Sequence, residues 1–122
     1  MCGIAGICNF SSGSNDSAKI RLMTSAMVHR GPDSDGFYED DLISLGHRRL
    51  SILDLSELGA QPMHSHNGEW VILFNGCIYN FKELKAELQQ KGQTFISTSD
   101  TEVISEGLAI YGPTFFERFD GM

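Results

Sequence analysis

Cysteine is scarce in this 122-residue chain: there are three, Cys2, Cys8 and Cys77, unevenly spaced. That excludes a disulfide scaffold, and an odd count leaves at least one free thiol, so a reducing compartment is expected, with the cytoplasm as default. Basic residues are few as well, 9 Lys and Arg against 16 Asp and Glu, for a formal charge of -7. Their one local cluster is Arg48-Arg49, so neither a nucleic-acid surface nor an anionic-membrane surface is expected. No apolar run approaches the roughly 20 residues that span a bilayer, and no charged-then-apolar leader opens the chain. Internal repeats and low-complexity linkers are absent. The four histidines, His29, His47, His64 and His66, show no metal-ligand spacing with the cysteines, so no metal is proposed. His64 and His66 read as loop surface, and His29 and His47 as hydrogen-bonded structural residues.

What remains is an ordinary globular composition, 41% hydrophobic and 20% charged, in a length that suits one domain with a modest core. Residues 3–9 read as a short buried strand, and 10–16 as a polar loop. Asp16 or Ser17 can cap a helix to about Val28, with Ile20, Met23 and Met27 at helical spacing. Pro32 and Gly31 force a loop at Arg30-Gly31-Pro32-Asp33. Short strands are expected around 36–39, 42–46 and 49–53, then a long loop from Asp54 to Gly68. Val71-Ile72-Leu73-Phe74 marks the clearest strand, over 69–75. Asn80 caps a helix over 81–90, with Phe81, Leu84 and Leu88 inward and Gly92 closing it. Ser99 and Glu102 form a capping box for a helix over 100–111, and Pro113 opens one more turn. Strands followed by helices point to an α+β or layered α/β chain.

Three groups of residues could carry chemistry. Cys2 stands behind the initiator methionine, so removal of Met1 would leave a thiol and a free α-amine on one residue. With reference pKa values of about 7.7–8.0 for the amine and about 8.5 for the thiol, the amine can act as base for its own nucleophile. On position alone a buried structural cysteine carries more weight. Asn75-Gly76 follows an apolar strand and is the commonest hairpin turn. Its alternative is an oxyanion hole built from the Asn amide and the Gly N–H, although a helix starting near Asn80 leaves little room for a return strand. Arg49 and Asp100 could hold the carboxylate and the ammonium of an α-amino acid. Taken singly, they are a solvated strand arginine and an aspartate favoured at a helix start.

Together these positions resemble one family, the class II glutamine amidotransferase domains of asparagine synthetases. The resemblance runs the whole length of the chain. It rests on Met1-Cys2-Gly3-Ile4-Ala5-Gly6, His29-Arg30-Gly31-Pro32-Asp33-Ser34, Arg49-Leu50-Ser51-Ile52-Leu53-Asp54 and Gly59-Ala60-Gln61-Pro62-Met63. It continues through Asn75-Gly76, Ile78-Tyr79-Asn80, Ser99-Asp100-Thr101-Glu102 and Phe119-Asp120-Gly121-Met122. It implies an N-terminal-nucleophile hydrolase-like fold, a four-layer αββα sandwich incomplete at the C-terminus. By similarity Cys2 attacks the glutamine side-chain amide and forms a thioester, releasing ammonia. Asn75 and Gly76 match the oxyanion hole, Arg49 the contact to the substrate carboxylate, and Asp100 that to its α-ammonium. Cys77 departs from the pattern, standing where the family usually has a glutamate that helps hold the amino group. Residues 1–122 are then expected to be a truncated glutaminase domain, lacking a synthetase domain of the same chain. That domain would use ATP and magnesium to make asparagine from aspartate, and a homodimer is expected for the full-length protein, while the present residues need no cofactor. A degenerate, non-catalytic module and an amidotransferase acting on another acid or sugar are the alternatives.

Overall fold

A computed structural model describes residues 2–10 and 16–122. The loop expected over 10–16 lies, except for its ends, outside the described residues. The chain divides into two compact units: Met1–Ser51 with Ala60–Pro62 and Leu73–Asn75, and Ile52–Gly59 with Met63–Ile72 and Gly76–Met122.

The first unit is built on a three-stranded antiparallel sheet. Its strands are β1 (Gly3–Cys8), β2 (Ser34–Glu39) and β3 (Ile43–Arg49), in the order β1-β3-β2, and helix α1 (Ser17–Ala26) precedes β2. The register sets Ala5 against Gly46 from one side, and Gly36 against His47 from the other. Helix α1 lies on the face that Gly46 presents, where a β-carbon would collide with Thr24. Ile20 and Thr24, one helical turn apart, are buried there, and the Thr24 hydroxyl donates to the Ile20 carbonyl at 2.7 Å. Burying a side chain such as Ile20 is worth about 1.5–3 kcal/mol. Met23, expected inward, is exposed, because the helix turns its Ile20–Thr24 stripe to the sheet. Asp16 sits at the helix start but does not cap it. Its carboxylate takes the Asn9 amide and the Lys19 ammonium instead.

The second unit carries a two-stranded antiparallel sheet, β4 (Met63–His64) and β5 (Val71–Ile72), with helices α2 (Phe81–Gln90) and α3 (Asp100–Tyr111). A 3₁₀ turn, Gly112–Arg118, follows α3. Leu84 and Leu88 of α2 pack with Val103, Ile104 and Leu108 of α3, and Phe115 is wholly buried against them. Gly107 gives that ring its place, since any side chain there would enter it. Gly92 and Gly112 have φ of 92° and 62°, the left-handed backbone that closes a helix cheaply only at glycine. Among the described residues no helix is long and apolar enough to cross a membrane.

The mixed α/β character matches the sequence reading, as do both later helices. Two strands do not. Residues 49–53 leave the ladder after Arg49, with Ile52 and Leu53 exposed, and the strand expected over 69–75 pairs only at Val71–Ile72. In both places an apolar run follows a short strand without a partner to extend it. Asn80 stands at the start of α2 but makes no cap bond. Its amide donates to the Arg118 carbonyl and its oxygen accepts the Asp120 N–H, each at 3.0 Å.

Candidate active site

In the first unit, the motifs around residues 2, 30–33 and 48–51 form one hydrogen-bonded assembly. The half-buried Cys2 thiol lies at Leu50: Sγ accepts the Leu50 N–H at 3.4 Å and donates to the Leu50 carbonyl at 3.7 Å. Arg30 Nε donates to the Cys2 carbonyl at 3.2 Å. Gly31 is packed so closely on the Arg48–Arg49 backbone that a β-carbon would overlap it. The Arg48 guanidinium donates to the Gly31 carbonyl at 2.8 Å and pairs with Asp35 at 3.1 Å. Asp33 completes the clasp, its N–H donating to the Arg49 carbonyl and its carboxylate accepting the Ser51 N–H at 2.8 Å. A thiol directly after the start of the chain is thus fixed from both its backbone and its sulfur.

Arg49 ends β3 with only 8% of its surface exposed, which removes the reading of it as a solvated strand arginine. The burial of His47, two residues earlier on the same face, is complete, and neither ring nitrogen closes a regular hydrogen bond. Burial, reinforced by the Arg49 charge, holds its pKa down to about 4, against the opposing pull of the Phe74 backbone. His47 is therefore structural as expected, with the Phe74 backbone as its polar partner, and His29 is exposed rather than structural.

Asn75 closes the first unit and Gly76 opens a segment of the second. They do not make the hairpin that their sequence suggests. A type I′ turn needs positive φ at both residues, yet among the described residues positive φ is confined to Gly68, Gly92 and Gly112. No return strand follows: Ile78 bridges to Gly121.

In the second unit the start of α3 concentrates buried carboxylates. Asp100 is 5% exposed and its Oδ2 accepts the Ile78 N–H at 3.0 Å. Burial pushes its carboxyl above the ordinary range, with the Ile78 N–H working against that. Cys77, the neighbour of Ile78, is half-buried and pinned through its backbone to Met122 in both directions, at 2.8 and 3.0 Å. The capping box forms by half. Ser99 accepts the Glu102 N–H at 3.3 Å, but the Glu102 carboxylate turns to the Ile96 and Ser97 N–H groups, each at 2.8 Å. Glu106, fully buried, accepts the His66 N–H at 2.9 Å and the Gln93 amide at 3.1 Å. His66 is exposed, as a loop residue should be, yet its ring lies 3.5 Å from both Glu102 and Glu106. Asp54 takes the Ser56 and Thr98 N–H groups and both hydroxyls, which hold its carboxyl well below the usual carboxylate range.

Sequence reading assigned no role to Arg30, Gln61, Glu106 or Asp54: Arg30 bonds to the Cys2 carbonyl and Gln61 to the Phe74 N–H beside Asn75, while Glu106 and Asp54 are buried acceptors of the second unit. Arg30, Gln61 and Asp54 fall in motifs that carried the resemblance, which was the available signal; Glu106 had none.

Comparison with known proteins places the chain as a whole. A family model described as a glutamine amidotransferase domain matches residues 1–122. Over the whole chain, 45% of residues are identical to the glutamine-hydrolysing asparagine synthetase 1 of Bacillus subtilis, of which the match covers 20%. Identity is 40% to asparagine synthetase B of Escherichia coli, again over the whole chain and over 22% of that protein. With the glutamine-hydrolysing asparagine synthetase of Zea mays it is 37%, over the whole chain and 20% of the relative. The chain thus spans about a fifth of the length of the curated relatives it matches.

Proposed function

The chain belongs to the glutamine amidotransferase domain family, and from that premise we propose that it hydrolyses glutamine to glutamate and ammonia with Cys2 as nucleophile. The observation that carries this reading is the seating of the Cys2 thiol on Leu50, clasped by the 30–33 loop, in the unit that also holds Arg49 and Asn75.

The proposed chemistry begins with Met1 removed. The Cys2 α-amine takes the thiol proton, and Sγ attacks the side-chain carbonyl carbon of glutamine. The Asn75 amide and the Gly76 N–H stabilise the oxyanion, each such donor being worth about 3–4 kcal/mol in the transition state. The C–N bond breaks, the proton passes from the amine to the leaving nitrogen, and ammonia departs, leaving a γ-glutamyl thioester. Water then attacks the thioester, giving glutamate and the free thiol. Arg49 would hold the substrate carboxylate and Asp100 its ammonium, with Cys77 where the family's second carboxylate would stand. An N-terminal-nucleophile hydrolase-like four-layer sandwich is the fold that accompanies this chemistry. The relatives' names join glutamine hydrolysis to asparagine synthesis. We accordingly propose that the ammonia serves an ATP- and magnesium-dependent amidation of aspartate in a synthetase domain, with no step of it falling on the residues described.

A glutamine analogue with an electrophilic ketone in place of the amide tests the nucleophile. It should alkylate Cys2 once per chain, with glutamine protecting, and mass spectrometry of the labelled peptide should show Met1 absent. Labelling spread evenly over Cys2, Cys8 and Cys77, or Met1 retained on active molecules, would overturn the assignment.

The role of Asp100 has its own signature. Asp100→Asn removes one charge-assisted hydrogen bond, about 1.5–3 kcal/mol, so KM for glutamine should rise roughly ten- to hundredfold with kcat much less affected. Ammonium binding needs the carboxylate, and burial raises its pKa. In the wild type KM should therefore climb as pH falls, starting above the ordinary carboxylate range. A KM that stays flat down to that range, or a kcat effect in place of a KM effect, would exclude this role.

A further inference from the structure

Strand β5 ends at Ile72, and residues 73–75 run on without a ladder partner although they are half-buried. A buried backbone N–H left unpaired is costly, so something must take the place of the absent strand. At Phe74 it is a side chain: Gln61 Oε1 accepts the Phe74 N–H at 2.6 Å. Gln61 is itself buried, 9% exposed. Its backbone carbonyl rests on Gly36 of β2 so tightly that a β-carbon at Gly36 would overlap it, and Gly36 lies opposite His47 in the ladder. Gln61 is therefore anchored to the sheet of the first unit, and through it the residue immediately before Asn75 is anchored too. The Gly59-Ala60-Gln61-Pro62-Met63 motif, otherwise without a chemical task, acquires one.

We propose that Gln61 is a positioning residue for the oxyanion contact, its side-chain oxygen standing in for a strand partner at Phe74 and so fixing Asn75. The inference rests on the functional reading of Asn75 given above. It acts through geometry: a displacement of about 1 Å at a catalytic group costs up to roughly a hundredfold in rate. Because the oxyanion exists only on the way through the transition state, the loss falls on kcat rather than KM.

The test is glutamine hydrolysis by the intact protein as wild type, Gln61→Met, Gln61→Glu, Asn75→Ala and the Gln61→Met/Asn75→Ala double variant. Methionine keeps the length of the side chain and loses the strong acceptor, whereas glutamate keeps an acceptor. Gln61→Met should lower kcat about ten- to hundredfold with KM nearly constant, and Gln61→Glu should recover most of it. Asn75→Ala should lower kcat roughly a hundred- to a thousandfold, and Gln61→Met should add little in that background. Amide exchange at Phe74, slow in the wild type, should speed up in Gln61→Met. A folded Gln61→Met with wild-type kcat beside a crippled Asn75→Ala overturns the positioning inference alone, as does full additivity of the two. Wild-type kcat in Asn75→Ala overturns the functional reading itself and this inference with it. Should Gln61→Met fail to fold, fast exchange at Phe74 in the wild type, or no kcat difference between Gln61→Glu and Asn75→Ala, overturns the inference.

Discussion

Replacing Cys2 with alanine is expected to lower glutamine-dependent turnover by roughly ten-thousand- to millionfold, the scale on which removal of a catalytic nucleophile acts in other hydrolases. Neither Cys8 nor Cys77 is expected to substitute, because neither would carry on its own residue the free α-amine that activates the thiol. Cys8 is exposed at the end of β1, and the Cys77 backbone is tied to Met122. Loss of the fold is not expected, because the Cys2 sulfur contributes only its two contacts to Leu50, at about 1 kcal/mol apiece at most. The backbone contact from Arg30 is untouched by the substitution. Synthesis driven by added ammonia in the full-length protein should persist in Cys2→Ala, since ammonia bypasses the thiol. Measuring both activities on one folded preparation decides the matter. Equal loss of the two would sink the separation of glutamine hydrolysis from ammonia use.

How much of this was legible in the sequence depends on how far each interaction reaches along the chain. Local signals served well. The helix over 100–111 is announced by Ser99 and Glu102, and the hydroxyl half of that cap is made. Its carboxylate half is not, because Ile96 and Ser97 offer Glu102 two backbone N–H groups and a hydroxyl. A tertiary alternative outweighed a local one. The apolar run at Val71-Ile72-Leu73-Phe74 reads as a strand, yet pairing stops at Ile72, since β4 is only two residues long. Strand length is set by the partner, which periodicity does not reveal. Asn75-Gly76 reads as a turn for a local reason, and the missing return strand defeats it. The buried carboxylates Asp54 and Glu106 were illegible for the same cause: their donors, Thr98 and His66, lie 44 and 40 residues away. Arg49 and Asp100 looked like surface residues singly, and only the motif resemblance raised them above that reading. Both are buried.

His47 should make the protein acid-sensitive well above the range where carboxylates titrate. Its ring is wholly buried and its pKa is held down to about 4, mainly by burial, against an ordinary value of 6.5. The sign follows from proton counting. Between those two pH values the unfolded chain protonates His47 and the folded chain does not, so the unfolded state binds more protons and stability decreases as the pH is lowered. The contribution is whole above 6.5 and is lost as pH drops through about 4, amounting to about 3 kcal/mol. That is a large share of the 5–15 kcal/mol typical of a folded domain. Asp54 and Glu87 have lowered carboxyl pKa values, so their contributions disappear only at still lower pH. Asp100, raised by burial, works in the opposite direction and offsets part of the loss. A His47→Leu variant isolates the histidine term. It removes two buried nitrogens that close no regular hydrogen bond, so its stability at neutral pH should stay near wild type. Urea unfolding of both proteins across this pH range should show curves that nearly coincide at neutral pH and diverge by about 3 kcal/mol near pH 4. Parallel curves would mean that His47 keeps an ordinary pKa in the fold, and that its ring is hydrated or paired rather than sealed beneath the segment that carries Asn75.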